Sequence, residues 1–163
     1  MEYVESGSLR DYLEENFSSL NWQDKYRLAF QLASAIECLH ENGVVHNNLN
    51  PNNVLIQQNS IKLADRIKNA HQISVDTILY IDPNIIGEKP QDVDSSEKDK
   101  QIEKLKKSDV YSVGVLFWEL SSGKKPFSDK EYNLPLATEI IQGLRESVVE
   151  GTPKEYSNLY ASK

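Results

Sequence analysis

The spacing of apolar residues predicts a chain built mainly of helices. Apolar side chains recur every three or four positions over residues 21–43, which predicts a long helix that buries one face. The predicted members of that face are Trp22, Tyr26, Ala29, Ala33, Ile36 and His40. Ser8 is placed to cap a shorter helix before it, and residues 136–144 predict another helix after it. Residues 110–120 are apolar at nearly every position, so we expect a helix that is buried all round, with Ser108 as its cap.

Residues 45–56 predict a different structure, a polar loop held between two short strands. The segment reads VHNNLNPNNVLI, with apolar runs at both ends and mostly Asn between them. Asn and Pro favour tight turns, and Asn side chains bond to nearby backbone. We expect the chain to reverse at residues 57–60 and return as a strand that ends at Asp65. A carboxylate at the end of a strand, facing a polar loop, is typical of a metal or phosphate site.

Two further local signals lie in the second half of the chain. Thr152 is followed by Pro153 and two helix-compatible residues, which predicts a helix with Thr152 as its cap and Pro153 at its first position. Gly114 lies inside the predicted helix 110–120, where glycine costs about 1 kcal/mol relative to alanine. It therefore predicts that another backbone segment approaches this helix closely.

Composition and charge narrow the class of protein. The 163 residues are 39% hydrophobic and 26% charged, as in a soluble globular domain. The net charge of −7 argues against binding to nucleic acid or to an anionic membrane. A single cysteine, Cys38, permits no internal disulfide, and no segment resembles a signal peptide or a membrane span. These features predict a cytoplasmic protein in which Cys38 is a packed small residue.

Residues 88–107 break this pattern. Twelve of these twenty residues are charged, six of each sign. The segment predicts a solvated insertion, with a frayed helix over residues 97–107. The cluster Lys104, Lys106 and Lys107 is interpreted as a solvated face, with a docking patch as the alternative.

The polar loop resembles the catalytic loop of eukaryotic protein kinases, which reads H-R-D-L-K-P-x-N. The positions that match in type and spacing are His46, Leu49, Pro51 and Asn53, while Asp65 stands where the family has the aspartate of D-F-G. Residues 109–120, DVYSVGVLFWEL, resemble the central buried helix of the kinase C-lobe. The resemblance implies an α+β, mainly helical fold. Residues 1–163 would form a partial kinase-like domain, a C-lobe whose short hairpin carries the catalytic loop, with the N-lobe absent.

The same resemblance implies that the catalytic positions are degenerate. Asn48 stands where the family has its catalytic Asp, and Asn50 stands where it has the loop Lys. An amide can hydrogen-bond a hydroxyl but does not accept its proton at neutral pH. Asn50 brings no positive charge to a migrating phosphate.

Cofactor contacts are implied only through the family. ATP would be held at its adenine by Glu2 and Val4, in the segment that resembles the hinge between the kinase lobes. Mg²⁺ would be bound by Asn53 and Asp65. One carboxylate and one amide make a weak magnesium site without phosphate oxygens, so a strand-end carboxylate with no ion is the favoured reading of Asp65.

The kinase resemblance also implies structural roles for two residues and candidate regulatory sites. In the family, the residue at His46 packs in the core and the residue at Asp109 holds the catalytic loop through backbone bonds. Phosphorylation sites in the segment after Asp65 would be Ser74, Thr77 and Tyr80, although plain loop hydroxyls are favoured because Asn47 replaces the arginine that reads a phosphate.

The substitutions favour a pseudokinase that acts through protein–protein contacts or regulation, with a protein partner and no nucleic acid or membrane. One alternative is part of an active kinase that transfers the γ-phosphate of ATP to protein hydroxyls. The other is a truncated fragment that does not function or fold alone, because a missing lobe leaves apolar surface bare.

Overall fold

The structure, a computed structural model, describes residues 7–64, 75–86 and 95–161. Its helices are α1 (Leu9–Asn16), α2 (Trp22–Glu41), α3 (Val75–Ile78), α4 (Ser95–Ser122), α5 (Leu134–Ile141) and α6 (Lys154–Ser157). Its strands β1 (Val54–Gln57) and β2 (Ser60–Leu63) form an antiparallel pair. The predicted α+β, mainly helical fold is therefore confirmed.

Capping boxes start α1 and α2, and the sequence predicts the cap at Ser8. The Ser8 hydroxyl accepts the backbone N–H of Asp11, whose carboxylate accepts the N–H of Ser8 in return. Asn21 and Asp24 form the same reciprocal pair at the start of α2, with the Asp24 N–H 2.8 Å from the Asn21 side-chain oxygen. Each box satisfies two N–H groups that a helix start otherwise leaves free.

The buried face of α2 differs from the predicted one. Its buried members are Lys25, Leu28, Ala29, Leu32 and Ile36, whereas Ala33 and Cys38 are exposed. The prediction is wrong at Ala33 because α2 carries apolar residues on more than one side, and packing against α4 and β2 selects between them. Cys38 is likewise not a packed residue.

Lys25 is the unexpected member of that face. Its ammonium lies 4.3 Å from the centroids of both the Phe17 and Trp22 rings. Burial lowers the pKa of Lys25, and the two ring faces attract its positive charge.

The hairpin turns where the sequence predicts it. Gln58 and Asn59 join β1 to β2 with φ angles of 51° and 61°, as a two-residue turn of this twist requires. The strand predicted at Val45 is wrong. Val45 is buried and lies outside the strands of the described residues, and the two residues that follow it donate their backbone N–H groups to Asp109 of α4.

Helix α4 is longer than predicted and passes without a break through Ser108. Ser108 is buried inside the helix, so its predicted role as a cap is wrong. The helix predicted over residues 97–107 is confirmed, and it is continuous with the buried part of α4. Glu, Lys, Gln and Leu dominate that stretch, and all are strong helix formers, so nothing local ends the helix there.

The core gathers around the second half of α4. Leu116 and Leu120 are fully buried there, and Tyr156 of α6 is fully buried against them in the same cluster. The Tyr156 hydroxyl donates to the carbonyl of Phe117 at 2.7 Å, and the ring of Tyr156 packs edge-on against Trp22 with 5.3 Å between centroids. This residue therefore ties α6 to both α4 and α2.

Three local predictions in this half need correction. Helix α6 has Pro153 at its cap position with no side-chain cap bond, so Thr152 does not cap it. Helix α5 begins at Leu134, earlier than predicted, because Asn133 accepts the N–H of Leu136. A Cβ at Gly114 would lie 3.7 Å from the Cβ of Tyr160, which is an ordinary contact, so no backbone within residues 7–64, 75–86 and 95–161 approaches Gly114 closely.

Candidate functional site

The loop between α2 and β1 is fastened to α4 by Asp109. This carboxylate is 1% exposed, and its Oδ2 and Oδ1 atoms accept the backbone N–H groups of His46 at 2.8 Å and Asn47 at 2.9 Å. His40 Nε2 lies 2.9 Å from Oδ2 as well. Hydrogen bonds to a buried carboxylate are among the stronger ones in proteins, so Asp109 sets the position of the loop.

His46 packs beneath the loop with both ring nitrogens engaged. Its Nδ1 accepts the N–H of Asn48 at 3.3 Å, so Nε2 carries the proton and donates to the carbonyl of Ala64 at 3.1 Å. The ring thereby joins the loop to the end of β2. A buried imidazole with both nitrogens occupied has no lone pair free to act as a base, and its geometry is that of a structural residue.

The side chains of two asparagines, Asn50 and Asn53, close the loop on itself. The Asn53 Nδ2 atom donates to the carbonyl of Asn48 at 2.6 Å, and the Nδ2 atom of Asn50 lies 3.4 Å from the same oxygen. The Asn50 Oδ1 atom accepts the N–H of Asn52 at 2.9 Å. Asn50 is buried, and its amide therefore serves the loop backbone instead of reaching outward.

The chemistry of this arrangement is limited to hydrogen bonding. Asn48 is an exposed residue of the loop, and its amide does not accept a proton at neutral pH. Asn50 supplies no charge, and its side-chain oxygen is engaged by the N–H of Asn52. The sequence-predicted residues His46, Asn48, Asn50, Asn53 and Asp109 thus form one connected unit that holds the loop in position.

Only one of the predicted metal and nucleotide ligands, Asn53, belongs to the described part of the chain. Within residues 7–64, 75–86 and 95–161, no group of three or more His, Cys, Asp or Glu side chains could hold a metal ion. The Oδ1 atom of Asn53 is the one oxygen of the predicted Mg²⁺ pair that belongs to this part, and a single amide oxygen is too few ligands to hold Mg²⁺ on its own. Asp65, Glu2, Val4 and Ser74 lie outside the described residues, so the ATP and Mg²⁺ contacts assigned to the first three stay predictions.

A buried polar cluster beside the loop was missed by sequence reasoning. It consists of Arg10, Tyr80 and Glu119. The Tyr80 hydroxyl donates to Glu119 Oε1, and Arg10 Nη2 lies 2.9 Å from the Tyr80 oxygen and 3.2 Å from Glu119 Oε2. These contacts join α1, the segment after α3, and α4. The only sequence signal was a carboxylate in an otherwise apolar helical run.

The electrostatics of this cluster follow from its burial. Glu119 is fully inaccessible, and loss of hydration raises its pKa to about 7, although Arg10 and the hydroxyl of Tyr80 act in the opposite direction. Burial, followed by the charge of Glu119, raises the pKa of Tyr80. Because the Tyr80 hydroxyl is buried and bonded, it is not an available phosphorylation site, which corrects that candidate. Thr77 is half-buried, and the plain loop hydroxyl favoured there by the sequence stays a prediction.

Comparison with known proteins gives an independent assignment. The family model described as protein tyrosine and serine/threonine kinase matches residues 1–162. No helix in the described part of the chain is long and apolar enough to cross a membrane.

Individual relatives agree with the family match. A putative serine/threonine-protein kinase/receptor of Acanthamoeba polyphaga mimivirus is 29% identical over 97% of this chain and 9% of its own length. The human receptor-interacting serine/threonine-protein kinase 4 is 28% identical over 98% of this chain and 20% of its own length. The serine/threonine-protein kinase PrkC of Bacillus subtilis is 31% identical over 94% of this chain and 23% of its own length. The chain therefore spans less than a quarter of each of these three relatives.

Proposed function

This chain belongs to the protein tyrosine and serine/threonine kinase family, and we propose that it is a catalytically impaired member, a pseudokinase domain that acts through contacts with a protein partner. The observation that carries the proposal is the state of the loop at residues 46–53. Asn48 occupies the position of the proton acceptor. The neighbouring amides of Asn50 and Asn53 both turn toward the Asn48 carbonyl.

The first support for the proposal is the size of the rate contributions that Asn48 and Asn50 remove. Phosphoryl transfer depends on positioning and on stabilising charge, and a general base contributes on the order of 10²–10⁴ in rate. Asn48 removes that base, and Asn50 removes a cation from the same loop. With both contributions gone, the loop keeps its shape but lacks the two groups that would accelerate transfer most directly.

The architecture also supports the proposal, because the bonds that hold the loop are present although the base and the cation are absent. Asp109 still accepts both loop amides, and His46 still bridges the loop to the end of β2. Such bonds stabilise a defined surface whether or not a phosphate is transferred. We include a cytoplasmic location in the proposal, because the exposed thiol of Cys38 suits a reducing compartment.

The decisive experiment measures phosphate transfer by the full-length polypeptide that contains residues 1–163. The protein is incubated with radiolabelled ATP, Mg²⁺ and a mixture of Ser, Thr and Tyr peptides. We expect transfer at least about 10²-fold slower than the typical 1–100 s⁻¹ of protein kinases. Transfer by the unmodified protein within that ordinary range would overturn the proposal.

Two variants locate the defect. Asn48→Asp restores a carboxylate at the acceptor position, and we expect transfer to rise with it. Asn52→Asp is the matched control, because it adds the same charge at an exposed position of the same loop and should leave transfer unchanged. Nucleotide binding is tested separately, and we expect ATP with Mg²⁺ to shift the melting temperature by less than about 1 °C.

A second candidate function is residual ATP-dependent phosphotransfer. It is favoured by Asn53, which keeps the residue type of a family Mg²⁺ ligand at the matching position. A several-degree thermal shift with ATP and Mg²⁺, together with transfer that survives in the unmodified protein, would select this candidate.

A further inference from the structure

The carboxyl group of Glu119 is enclosed by side chains from other parts of the chain. It is 0% exposed, its Oε1 atom accepts the Tyr80 hydroxyl, and its Oε2 atom lies 3.2 Å from Arg10 Nη2. Oε2 accepts no hydrogen bond from a residue that the structure describes. A buried charge whose lone pairs lack donors costs more free energy than a buried neutral group. The geometry therefore favours the protonated form of Glu119 while the site is closed to water.

The titratable and charged groups that face Glu119 lie on each element that encloses it. Arg10 is on α1, Tyr80 follows α3, and Lys125 follows α4. Arg10 also donates to Tyr80 and lies near Glu14, so its charge does not act on Glu119 alone. Loss of hydration is the largest influence on Glu119 and raises the pKa of this carboxyl to about 7, although the three facing residues lower it.

Tyr80 is held against α4 at two points. Ser112 Oγ donates to the Tyr80 carbonyl at 2.6 Å, and Glu119 accepts the Tyr80 hydroxyl. Ser112 and Glu119 are seven residues apart on α4, which is about two turns, so both bonds lie on one face of the helix. Neither a serine hydroxyl nor a backbone carbonyl titrates near neutral pH, so only the bond to Glu119 depends on protonation.

The segment that carries Tyr80 is built from short elements. Within residues 75–86, α3 has four residues and the turn at residues 83–85 has three. Elements this short open locally at a lower free energy than long helices such as α2 and α4. Tyr80 is 4% exposed and lies directly on Glu119, so departure of its side chain brings water to the carboxyl group.

We propose that Arg10, Tyr80 and Glu119 form a proton-linked switch, in which loss of the Glu119 proton to solvent favours departure of Tyr80 and opens residues 75–86. In the closed state Tyr80 covers a protonated carboxyl group. In the open state water hydrates both oxygens of the carboxylate. The inference goes beyond the proposed function and does not depend on whether the chain transfers phosphate.

Arg10 places this switch beside the loop at residues 46–53. Its backbone N–H donates to the carbonyl of Pro51 at 3.4 Å, and its side chain donates to the Tyr80 oxygen at 2.9 Å. Opening of residues 75–86 therefore changes the surface next to the loop that carries the degenerate catalytic positions.

The direction of the response follows from the pKa of Glu119 in the two states. It is about 7 in the closed site and 4.5 when the carboxyl group is hydrated. The contribution that keeps the segment closed is therefore fully present below pH ~4.5 and is lost as the pH rises through 7. These two values predict that the opening equilibrium constant grows about tenfold between pH 6 and pH 8.

Hydrogen–deuterium exchange of the full-length polypeptide that contains residues 1–163 measures this opening. Exchange in residues 75–86 is followed at pH 6, 7 and 8, and each rate is divided by that of the same unstructured peptide at that pH. We expect the resulting opening constant to rise about tenfold over this range. It should also exceed the opening constant of residues 22–41 in α2 at least tenfold at each pH, because global unfolding is not required.

Two pairs of variants assign the response to the cluster. Glu119→Gln keeps an acceptor for Tyr80 but does not titrate, so its opening constant should change less than about twofold from pH 6 to 8, whereas Glu131→Gln at an exposed site should keep the tenfold rise. Arg10→Gln removes a cation that lowers the pKa of Glu119, so the rise should continue to higher pH. Arg27→Gln, at an exposed position of α2, should not shift it.

Four results would count against the switch. They are an opening constant of the unmodified protein that does not change with pH, the same rise in Glu119→Gln, and a rise in Arg10→Gln that ends at the same or a lower pH. The fourth is an equal opening constant for residues 75–86 and for α2, which would assign the pH dependence to global unfolding. None of these readouts involves phosphate transfer, so failure of this inference is separable from failure of the proposed function.

Discussion

Asp109 and His46 are 63 residues apart in sequence, and the Oδ2 atom of Asp109 accepts the backbone N–H of His46 at 2.8 Å. The same carboxylate accepts the N–H of Asn47 and contacts the ring of His40. A helix in the core thus holds the loop that carries the degenerate catalytic positions. Because these bonds involve backbone groups of the loop, they do not depend on the side chains at positions 48 or 50.

The first prediction concerns that anchor. Asp109→Ala leaves two loop N–H groups without their acceptor, and we expect a loss of about 3–5 kcal/mol in the free energy of unfolding. Asp109→Asn keeps one acceptor oxygen and should lose less. Urea denaturation measures both. Asp99→Ala, at an exposed position of the same helix, is the control, and a loss as small as that of the control would contradict the anchoring role.

The second prediction concerns the cost of restoring the family lysine. Asn50→Lys removes the oxygen that accepts the N–H of Asn52, and it places an ammonium where the amide is buried. We expect a loss of about 1–3 kcal/mol in stability, measured by thermal or urea unfolding. Asn52→Lys, at an exposed position, should cost less than about 0.5 kcal/mol. Equal stability of the two variants would show that the Asn50 side chain does not support the loop.

The third prediction is a pH dependence that originates at Glu119. Burial raises the folded-state pKa of this carboxyl from 4.5 to about 7. Between these values the folded protein keeps a proton that the unfolded chain releases, so this contribution is fully present below pH ~4.5. It falls as the pH rises through 7, by roughly 3 kcal/mol in total.

Glu119→Gln tests this assignment, because the amide keeps an acceptor for the Tyr80 hydroxyl but does not titrate. We expect urea unfolding of the variant to depend less on pH between 5 and 8 than that of the parent protein. Glu131→Gln, at an exposed site, should retain the parent slope. An unchanged slope in Glu119→Gln would assign the pH dependence to other groups.

The fourth prediction compares two glycines of the α4 region. Gly114 is inside the helix with room for a methyl group, so Gly114→Ala should stabilise the protein by about 0.5–1 kcal/mol. Gly123 follows the helix with φ of 69°, and a Cβ there would lie 2.5 Å from the ring of Phe17. Gly123→Ala should therefore destabilise by more than about 1 kcal/mol. Melting temperatures that move in the same direction for both variants would contradict this account.

The features that could be predicted from the sequence are those whose causes lie within a few residues. The capping boxes at Ser8 and Asn21 and the turn at Gln58 and Asn59 depend on short-range bonds and on φ preferences. The spacing of the loop from His46 to Asn53 belongs to the same group, and with the helix at residues 109–120 it was sufficient to indicate the kinase family.

The features that the sequence did not show arise from packing between distant segments. Local periodicity did not show that α2 turns Leu28 and Leu32 inward and Ala33 outward, because both sides of that helix are apolar and its neighbours select one. It did not show that α4 continues through Ser108, or that Glu119 is buried against Arg10, 109 residues away in sequence. A carboxylate is accepted in a core only where distant groups converge on it. That convergence is a property of the assembled fold and not of any stretch of the chain.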